Sequence, residues 1–234
     1  MSRTHGMDAH ADRWSAEGTP AMLTTRRAAG GRREDLERML AVGGVPPSLR
    51  PLTCAQVHGP QVVFHRAGDS CRYPDADGVL TADPSVAVCV FTADCVPLFV
   101  WEQEGPLFGL VHAGRRGVLL GVVENTVSVA VRNGVEPYRL RFLIGPHICG
   151  ECYTVDAGAA SGALEGYEAA TGRFSLRKEL IARLRTSGVR DEQVAYTGGC
   201  TVHDRGRWYS HRAGDGENRN VSVIHQCGDA KRLP

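Results

Sequence analysis

Lysine is nearly absent from this chain of 234 residues, where Lys178 and Lys231 are the only two, so almost all of its positive charge is arginine. The formal net charge of +1, from 27 basic and 26 acidic side chains, argues against a protein that binds nucleic acid through a basic face. No apolar run approaches the roughly 20 residues of a membrane span. Residues 1–20 also lack the apolar region of a signal peptide. We therefore expect a cytoplasmic protein whose partners are neither nucleic acids nor membranes.

The chain contains no internal repeat and no Pro- or Ser-rich linker that would divide it. Polar residues 1–20 are interpreted as a mobile N-terminal leader. A chain of this length buries roughly 70% of its unfolded surface as one body. We therefore expect residues 21–234 to form a single domain.

Apolar residues fall into runs of strand length and into helical patterns. Strands are predicted at residues 61–65, 86–91, 96–101, 107–111, 141–144 and 221–225. Helices are predicted at residues 33–42, after the glycine-rich segment 112–117, and after Ser175. This mixture predicts an α/β (α+β) domain with mixed β-sheets flanked by helices.

The eight cysteines are scattered, and without a secretory signal they are expected to be reduced thiols. Only Cys149-Gly-Glu-Cys152 has C-x-x-C spacing. A structural zinc site usually brings a second such pair or a paired histidine, and we identify neither. The pair is therefore not predicted to bind metal, and its role stays open.

Three polar residues stand at the ends of apolar strands: His58, Cys95 and His112. Two imidazoles and a thiolate with a vacant fourth position are typical of a catalytic zinc site. Taken singly, each histidine can also be explained as a hydrogen-bonded core residue, and the cysteine as an inert buried thiol. The metal hypothesis depends on the fold bringing the three together.

The segment His112–Gly117 lies between a predicted strand and a predicted helix. Glycines at a helix N-terminus expose N–H groups, and together with Arg115 and Arg116 they favour an anion. An ordinary turn with solvated arginines is the alternative. The glycine spacing matches neither a Walker A loop nor a dinucleotide fingerprint. The polar segment 208–219 has the character of a substrate-binding loop.

Together these features resemble the YfiH-like, laccase-domain family, described as purine nucleoside phosphorylases and earlier as polyphenol oxidases. The resemblance spans about residues 22–225. The family's motifs have counterparts here in the same order: a segment similar to T-R-x-G-G at 25–31, Q-V-H-G at 56–59, D-A-D-G-x-x-T at 75–81, T-A-D-C at 92–95, H-A-G-W-R-G with Arg115 at its tryptophan at 112–117, and C-T with an S-x-R…G-R tail, with Asn218 at its glycine, at 200–201 and 210–219.

The resemblance implies a YfiH-like catalytic domain that binds Zn²⁺, with Cu²⁺ as the alternative ion. It implies that His58, Cys95 and His112 are the metal ligands. The substrate-binding or phosphate-binding residues that it implies are Arg26, Arg116, Arg212 and Arg219. Asp94 and Asp77 are the carboxylates that we predict to protonate or hold a purine base, with Cys95 as a further catalytic residue.

In the implied reaction, phosphate cleaves a purine nucleoside (adenosine, inosine or methylthioadenosine) into free base and ribose 1-phosphate. Adenosine deaminase activity is also implied. The substrates are then the expected partners of a monomer or homodimer. Three departures affect substrate identity rather than the metal site: Arg115 replaces the family's tryptophan, Asn218 replaces a glycine, and the stretch after Arg26 is short.

Two other functions remain open on the sequence alone. A copper-dependent, laccase-like polyphenol oxidase is suggested by the older family name, although the nine histidines include no H-x-H pair. A cysteine hydrolase is the second, in which Cys95 is the nucleophile of an amidase acting on cell-wall precursor peptides.

Overall fold

The computed structural model describes residues 11–14, 19–25, 30–155 and 172–226. Within these ranges the chain forms two six-stranded sheets, one two-stranded sheet and four α-helices. The strands are β1 (Ala11–Trp14), β2 (Ala21–Thr25), β3 (Arg50–Cys54), β4 (Val62–His65), β5 (Arg72–Tyr73), β6 (Gly78–Thr81), β7 (Val86–Thr92), β8 (Val96–Glu102), β9 (Phe108–Ala113), β10 (Leu140–Ile144), β11 (Thr154–Val155), β12 (Gly172–Arg173), β13 (Val194–Tyr196) and β14 (Asn220–His225). The helices are α1 (Leu36–Val42), α2 (Arg115–Leu119), α3 (Val122–Arg132) and α4 (Leu176–Thr186), with short 3₁₀ turns at Arg33–Asp35, Pro137–Arg139 and Asp191–Gln193.

Both large sheets mix parallel and antiparallel pairs. The first sheet has the order β1-β2-β14-β7-β3-β5, and its β3 pairs in parallel with β5 and β7. The second sheet has the order β13-β10-β8-β9-β6-β4, in which β4–β6 and β10–β13 are parallel. The mixed α/β architecture predicted from the sequence is therefore confirmed.

The alternation of side chains along a strand explains how the layers stack, because successive residues point to opposite faces. In β8, Val96, Leu98 and Val100 pack against the helical layer, whereas Phe99 and Trp101 pack between the two sheets. In β7, the even-numbered valines face the same inter-sheet core, and the odd-numbered residues face α1. A strand that is buried on both faces has a continuous run of apolar residues, and both β7 and β8 show such a run in the sequence.

Each predicted strand and helix is present to within a few residues. Strands β1, β2, β3, β5, β6, β11 and β12 were not predicted; each has five residues or fewer and leaves little periodic signal. The helix predicted after the segment 112–117 already begins at Arg115 and is broken into α2 and α3, because Gly121 adopts a positive φ of 100° that ends the first helix. Residues 11–14, predicted to lie in the mobile leader, form β1, which pairs antiparallel with β2 and whose side chains are mostly buried. Residues 1–10 lie outside the described ranges, and the domain boundary at residue 20 stays a prediction.

Three connections carry the chain from the first sheet to the second at the same end of the molecule. Residues 55–61 join β3 to β4, residues 74–77 join β5 to β6, and residues 93–95 join β7 to β8. Cys95 and His58 lie in these connections, and His112 lies near the end of β9, paired with Pro97 of β8. The crossing between sheets therefore brings together residues that are far apart in sequence. Across the described ranges, none of the helices has the length and hydropathy of a membrane span.

Two valines on α3 offer a matched test of this packing. Val123 is fully buried in the core between the second sheet and the helices, whereas Val131 is 46% exposed. We expect Val123→Ala to lower the free energy of unfolding by about 1.5–3 kcal/mol, from the lost transfer energy plus the cavity that remains. Val131→Ala should stay within about 0.5 kcal/mol. Urea unfolding at unchanged slope measures both, and equal losses in the two variants would contradict the layer assignment.

Candidate active site

Three potential metal ligands converge where the chain crosses between the sheets. Ligand atoms of His58, Cys95 and His112 all lie within 4.8 Å of one another. The two imidazole rings are 4.7 Å apart between centroids and are inclined at 67°. His112 is buried, Cys95 is half-buried and His58 is exposed, so the cluster has one side open to solvent. The fold therefore provides the convergence on which the sequence hypothesis depended.

The electrostatics of this cluster favour an ionised thiol. Burial alone would raise the pKa of Cys95, but the neighbouring His112 and His58 outweigh burial and lower that pKa to about 6. Burial would likewise lower the pKa of His112, whereas Cys95 and Asp77 raise it to about 9. A thiolate beside imidazoles is the form that either binds a metal or acts as a nucleophile.

Gly114 leaves the space in front of the three ligands open. A Cβ atom at this position would lie 2.9 Å from His58 Nδ1, 3.0 Å from Cys95 Sγ and 3.5 Å from the His112 ring. Any side chain here would therefore press on His58 and Cys95 and would touch the His112 ring. The glycine turn keeps a small cradle among one sulfur and two imidazoles, which fits a single ion of the kind that His and Cys ligands bind.

The buried carboxylate of Asp77 organises both histidines. Its Oδ1 accepts from His112 Nδ1 at 2.8 Å and from the His58 backbone N–H at 2.9 Å. Its Oδ2 accepts from the N–H groups of Val57 at 3.1 Å and Gly59 at 2.8 Å. Because Nδ1 of His112 is engaged, Nε2 is the ring nitrogen left for an ion, the arrangement typical of metal-binding histidines.

The loop that carries His58 has an unusual backbone. Gln56, His58 and, across the site, Asp94 adopt positive φ angles of 62°, 57° and 88°. Such conformations are costly for residues other than glycine and persist where surrounding contacts impose them. Here the Gln56 amide supplies such contacts, since it donates to the Phe91 carbonyl at 2.6 Å and accepts from the Phe91 N–H at 2.9 Å.

The cluster lies on the wall of a cavity of about 560 Å³. Among the described residues, the lining contains five arginines and a single carboxylate, that of Asp94. The arginines are Arg33, Arg115, Arg116, Arg212 and Arg219. This composition makes the cavity suitable for an anionic ligand, since guanidinium groups bind phosphate and carboxylate through paired donors.

Three of the four arginines singled out in the sequence line this cavity, and Arg26 lies outside the described residues. Arg116 donates to the His58 carbonyl at 3.3 Å. Arg212 donates to Thr154 and stacks over Tyr153 at 5.3 Å. Arg219 donates to the Gly216 carbonyl at 2.7 Å.

Asp94 is fixed at the cavity wall by two donors. Thr201 Oγ1 donates to its Oδ1 at 2.6 Å, and the Arg212 backbone N–H donates to its Oδ2 at 2.7 Å. Asp94 and Asp77 therefore differ in position, because Asp94 lines the cavity whereas Asp77 is fully buried behind the histidines.

Sequence reasoning missed Arg33, which lies 4.6 Å above the Phe91 ring inside the cavity. Partial desolvation, and then repulsion from Arg219, lower the pKa of its guanidinium. Two facing cations favour an anion between them. The segment Gly30-Gly31-Arg32-Arg33 repeats the glycine-then-arginine order of residues 114–116, and that signal was available in the sequence.

Apolar side chains form the remaining wall. Tyr153, Phe91, Ile148 and Leu176 line the cavity, and Tyr153 packs edge-on against Phe174 with ring centroids 5.9 Å apart. Burial raises the pKa of the Tyr153 hydroxyl, with a further rise from Cys95 that Arg115 and Arg212 oppose. Arg115, which stands where the resembling family has tryptophan, thus faces Tyr153.

Comparison with known proteins agrees with this architecture. Residues 32–226 match the family described as multi-copper polyphenol oxidoreductase laccase. A purine nucleoside phosphorylase of Mycobacterium tuberculosis is 33% identical over 212 residues, covering 88% of this chain and 80% of the relative. A purine nucleoside phosphorylase of Streptomyces griseus is 32% identical over 194 residues, covering 79% of this chain and 76% of the relative.

Solved structures show the same fold. YlmD from Geobacillus stearothermophilus superposes with a TM-score of 0.79 at 23% identity, covering 93% of this chain and 96% of that one. The hypothetical protein YfiH from Bacillus licheniformis also reaches 0.79, at 21% identity and 94% and 97% coverage. The chain therefore belongs to the laccase-like YfiH family, several of whose members are named purine nucleoside phosphorylases.

Proposed function

We propose that this protein is a zinc-dependent purine nucleoside phosphorylase. In the reaction, a phosphate oxygen bonds to ribose C1′, the bond from C1′ to the purine nitrogen breaks, and the products are free base and ribose 1-phosphate. The observation that carries the proposal is the His58, Cys95 and His112 cluster on the wall of an arginine-lined cavity. The names of the relatives support the same activity.

The arginines provide the phosphate side of the proposed site. Arg116 lies next to the three-residue cluster through its contact with His58, and Arg33 and Arg219 line the same cavity near enough for their charges to repel. Charge-assisted hydrogen bonds to phosphate are stronger than neutral ones and fix its orientation. We propose that these residues hold phosphate. Arg212 donates to Thr154 and forms the adjoining part of the cavity wall.

The apolar wall with Asp94 provides the base side. A purine presents two flat faces, for which the Tyr153 ring is a suitable stacking surface. Asp94 points its fixed carboxylate into the same cavity, where it accepts an N–H of the base or holds the proton that the departing base takes up. Asp77 has all of its acceptor positions directed at the histidines and their loop, so we assign it to positioning His112 rather than to acid catalysis.

The residues of the cluster suit zinc. A thiolate with two imidazoles is a donor set that zinc binds and that magnesium or calcium does not favour. Bound there, the ion would supply a Lewis acid that polarises an oxygen of the substrate or of a water molecule. The protein's own part is to hold the ligands through Asp77 and to keep the space before Gly114 free. Adenosine deamination at the same site is proposed as a second activity.

One alternative has an observation in its favour. The thiol of Cys95, with a pKa lowered to about 6 beside His112, is also suited to act as a nucleophile in an amidase. In the phosphorylase hypothesis the Cys95 thiolate is a metal ligand, whereas in the amidase hypothesis it reacts with the substrate. A copper-dependent oxidase differs in the identity of the ion. Metal content separates all three.

The metal assignment predicts that zinc depends on Cys95 and on Gly114. Protein prepared with ample zinc should lose one equivalent of zinc in Cys95→Ser, because the sulfur ligand is gone. Gly114→Ala should also lose zinc, because its Cβ intrudes among the ligands. Cys71→Ser, which alters a partly exposed thiol outside the cluster, is the control and should keep the parent content. Elemental analysis decides the matter, and unchanged zinc in Cys95→Ser, or copper in its place, would overturn the assignment.

Arg116 is predicted to matter for activity rather than for stability. Its side chain lies on the cavity wall at the start of α2, where a cation opposes the helix dipole. Arg116→Ala should lower kcat/KM by about 10- to 100-fold, the loss of one charged hydrogen bond, while unfolding stays within about 0.5 kcal/mol. Arg132→Ala, at an exposed position of α3, serves as the control. Full activity in Arg116→Ala, or its failure to fold, would count against this role.

Phosphate itself separates phosphorolysis from hydrolysis. In phosphate-free buffer adenosine or inosine should release no base, and added phosphate should yield base and ribose 1-phosphate. Arsenate should support cleavage but leave free ribose, because its ester is unstable, and sulfate should only compete. Inosine formed from adenosine without phosphate would register the deaminase activity. Undiminished base release without phosphate would indicate a hydrolase, and no release under any condition would favour the amidase or the oxidase.

A further inference from the structure

A second cluster of metal-binding side chains lies outside the cavity lining. Cys149, Cys152, Cys200 and His203 place ligand atoms within 4.8 Å of one another. The expectation that the C-x-x-C pair has no partner was wrong: Cys200-Thr201-Val202-His203 has C-x-x-H spacing and folds beside it. We propose that these four residues bind one zinc ion in a structural site, distinct from the three-ligand cluster of the cavity.

The number and kind of ligands support zinc. Three thiols and one imidazole complete a four-coordinate set, which is the composition of a closed structural site with no position left for substrate. Cys152 Sγ lies 3.2 Å from His203 Nε2, and Cys149 Sγ lies 3.8 Å from His203 Nδ1. In a tetrahedral zinc site the ligand atoms are separated by about 3.3–3.8 Å, given the usual zinc–ligand bond lengths. The four ligand atoms, all within 4.8 Å of one another, therefore need only small side-chain adjustments to surround one ion.

The backbone around the cluster is arranged in two turns. Cys152 N–H and Tyr153 N–H both donate to the Cys149 carbonyl, at 3.1 and 3.0 Å, which brings the two C-x-x-C thiols to one side. Asp204 N–H donates to the Cys200 carbonyl at 2.8 Å in the second turn. The N–H of Cys149 points at Cys200 Sγ at 3.3 Å, a hydrogen bond of the kind that steadies a coordinating sulfur.

A disulfide explains the cluster less well. A bond between any two of the thiols would leave the third cysteine and His203 without a role, although both turns bring them to the same point. A metal ion accounts for all four side chains at once. Soft sulfur ligands also select zinc over the harder cations.

The proposed ion would join two segments that shape the cavity. Ile148 N–H, next to the first ligand, donates to the Asp94 carbonyl at 3.0 Å, and Thr201, next to the third, donates to the Asp94 carboxylate. Tyr153 and Thr154 follow Cys152 directly and contact Arg212. Zinc binding would therefore stabilise the wall that holds Asp94 and Arg212, although the site itself does not depend on which reaction the cavity performs.

The test is metal stoichiometry in the full-length chain. We expect two zinc ions per parent protein, one in Cys152→Ser, one in Cys95→Ser and none in the double variant, with Cys71→Ser unchanged. Cys152→His replaces the sulfur ligand with a nitrogen ligand, and this variant should therefore keep the second ion. Because each cysteine reports on its own cluster, failure of one site leaves the test of the other intact.

Two measurements keep the proposal testable if Cys152→Ser does not fold. His203 is exposed, so His203→Ala should fold and should release one zinc to a competing chelator faster than the parent. Cobalt(II), used as a probe in Cys95→Ser, should give strong thiolate-to-metal charge-transfer absorption. The proposal is overturned if the parent and Cys152→Ser hold equal zinc, if His203→Ala releases zinc at the parent rate, or if intact-mass analysis finds a Cys149–Cys152 disulfide.

Discussion

The buried carboxylate of Asp77 is the interaction on which the site depends. It accepts four hydrogen bonds, three from the loop that carries His58 and one from His112. A buried charge is tolerated only when it is fully paired, so the carboxylate and the loop impose their positions on each other. The loop keeps the positive φ at His58 because its consecutive N–H groups converge on one acceptor. The positions of His58 and His112 are therefore fixed by the buried Asp77 carboxylate, whatever the cavity contains.

The two-sheet architecture supplies the second requirement. Cys95 and His112, which lie 37 and 54 residues beyond His58, meet it only because the chain crosses from one sheet to the other at 55–61, 74–77 and 93–95. Strands buried on both faces fix these crossings, since neither β7 nor β8 can slide by one residue without exchanging its two cores. A rigid scaffold therefore ends in short irregular connections that carry the chemistry, as is common in enzymes.

Periodicity was enough to predict the helices and the longest strands, because buried strands and amphipathic helices leave local signals, whereas most strands of five residues or fewer were not predicted. The break at Gly121 was not predicted, since an isolated glycine within a helical pattern is ambiguous until its φ is known. The cluster of His58, Cys95 and His112 was predicted from the positions of these residues at strand ends and from a family resemblance, and the fold brings the three together. The role of Asp77 depends on four tertiary contacts, which no local pattern reveals.

Arg33 and the Cys200–His203 pair illustrate two further limits. Each had a local signal, a glycine turn before arginines and a C-x-x-H spacing, but each becomes meaningful only beside a partner distant in the chain. Sequence spacing identifies only the residues that are close together in the chain. The fold brings the distant residues to them, and here the β-bridge between His147 and Cys200 brings the C-x-x-H pair next to the C-x-x-C pair.

The position of β14 has a consequence for biosynthesis. This strand, residues 220–225, lies in the middle of the first sheet between β2 and β7. Until the ribosome has released that segment, β2 and β7 have no neighbour on their facing edges, and unpaired strand edges invite association with other chains. The first sheet therefore cannot close before residues 220–225 have left the ribosome, and until then the nascent chain carries two unpaired strand edges.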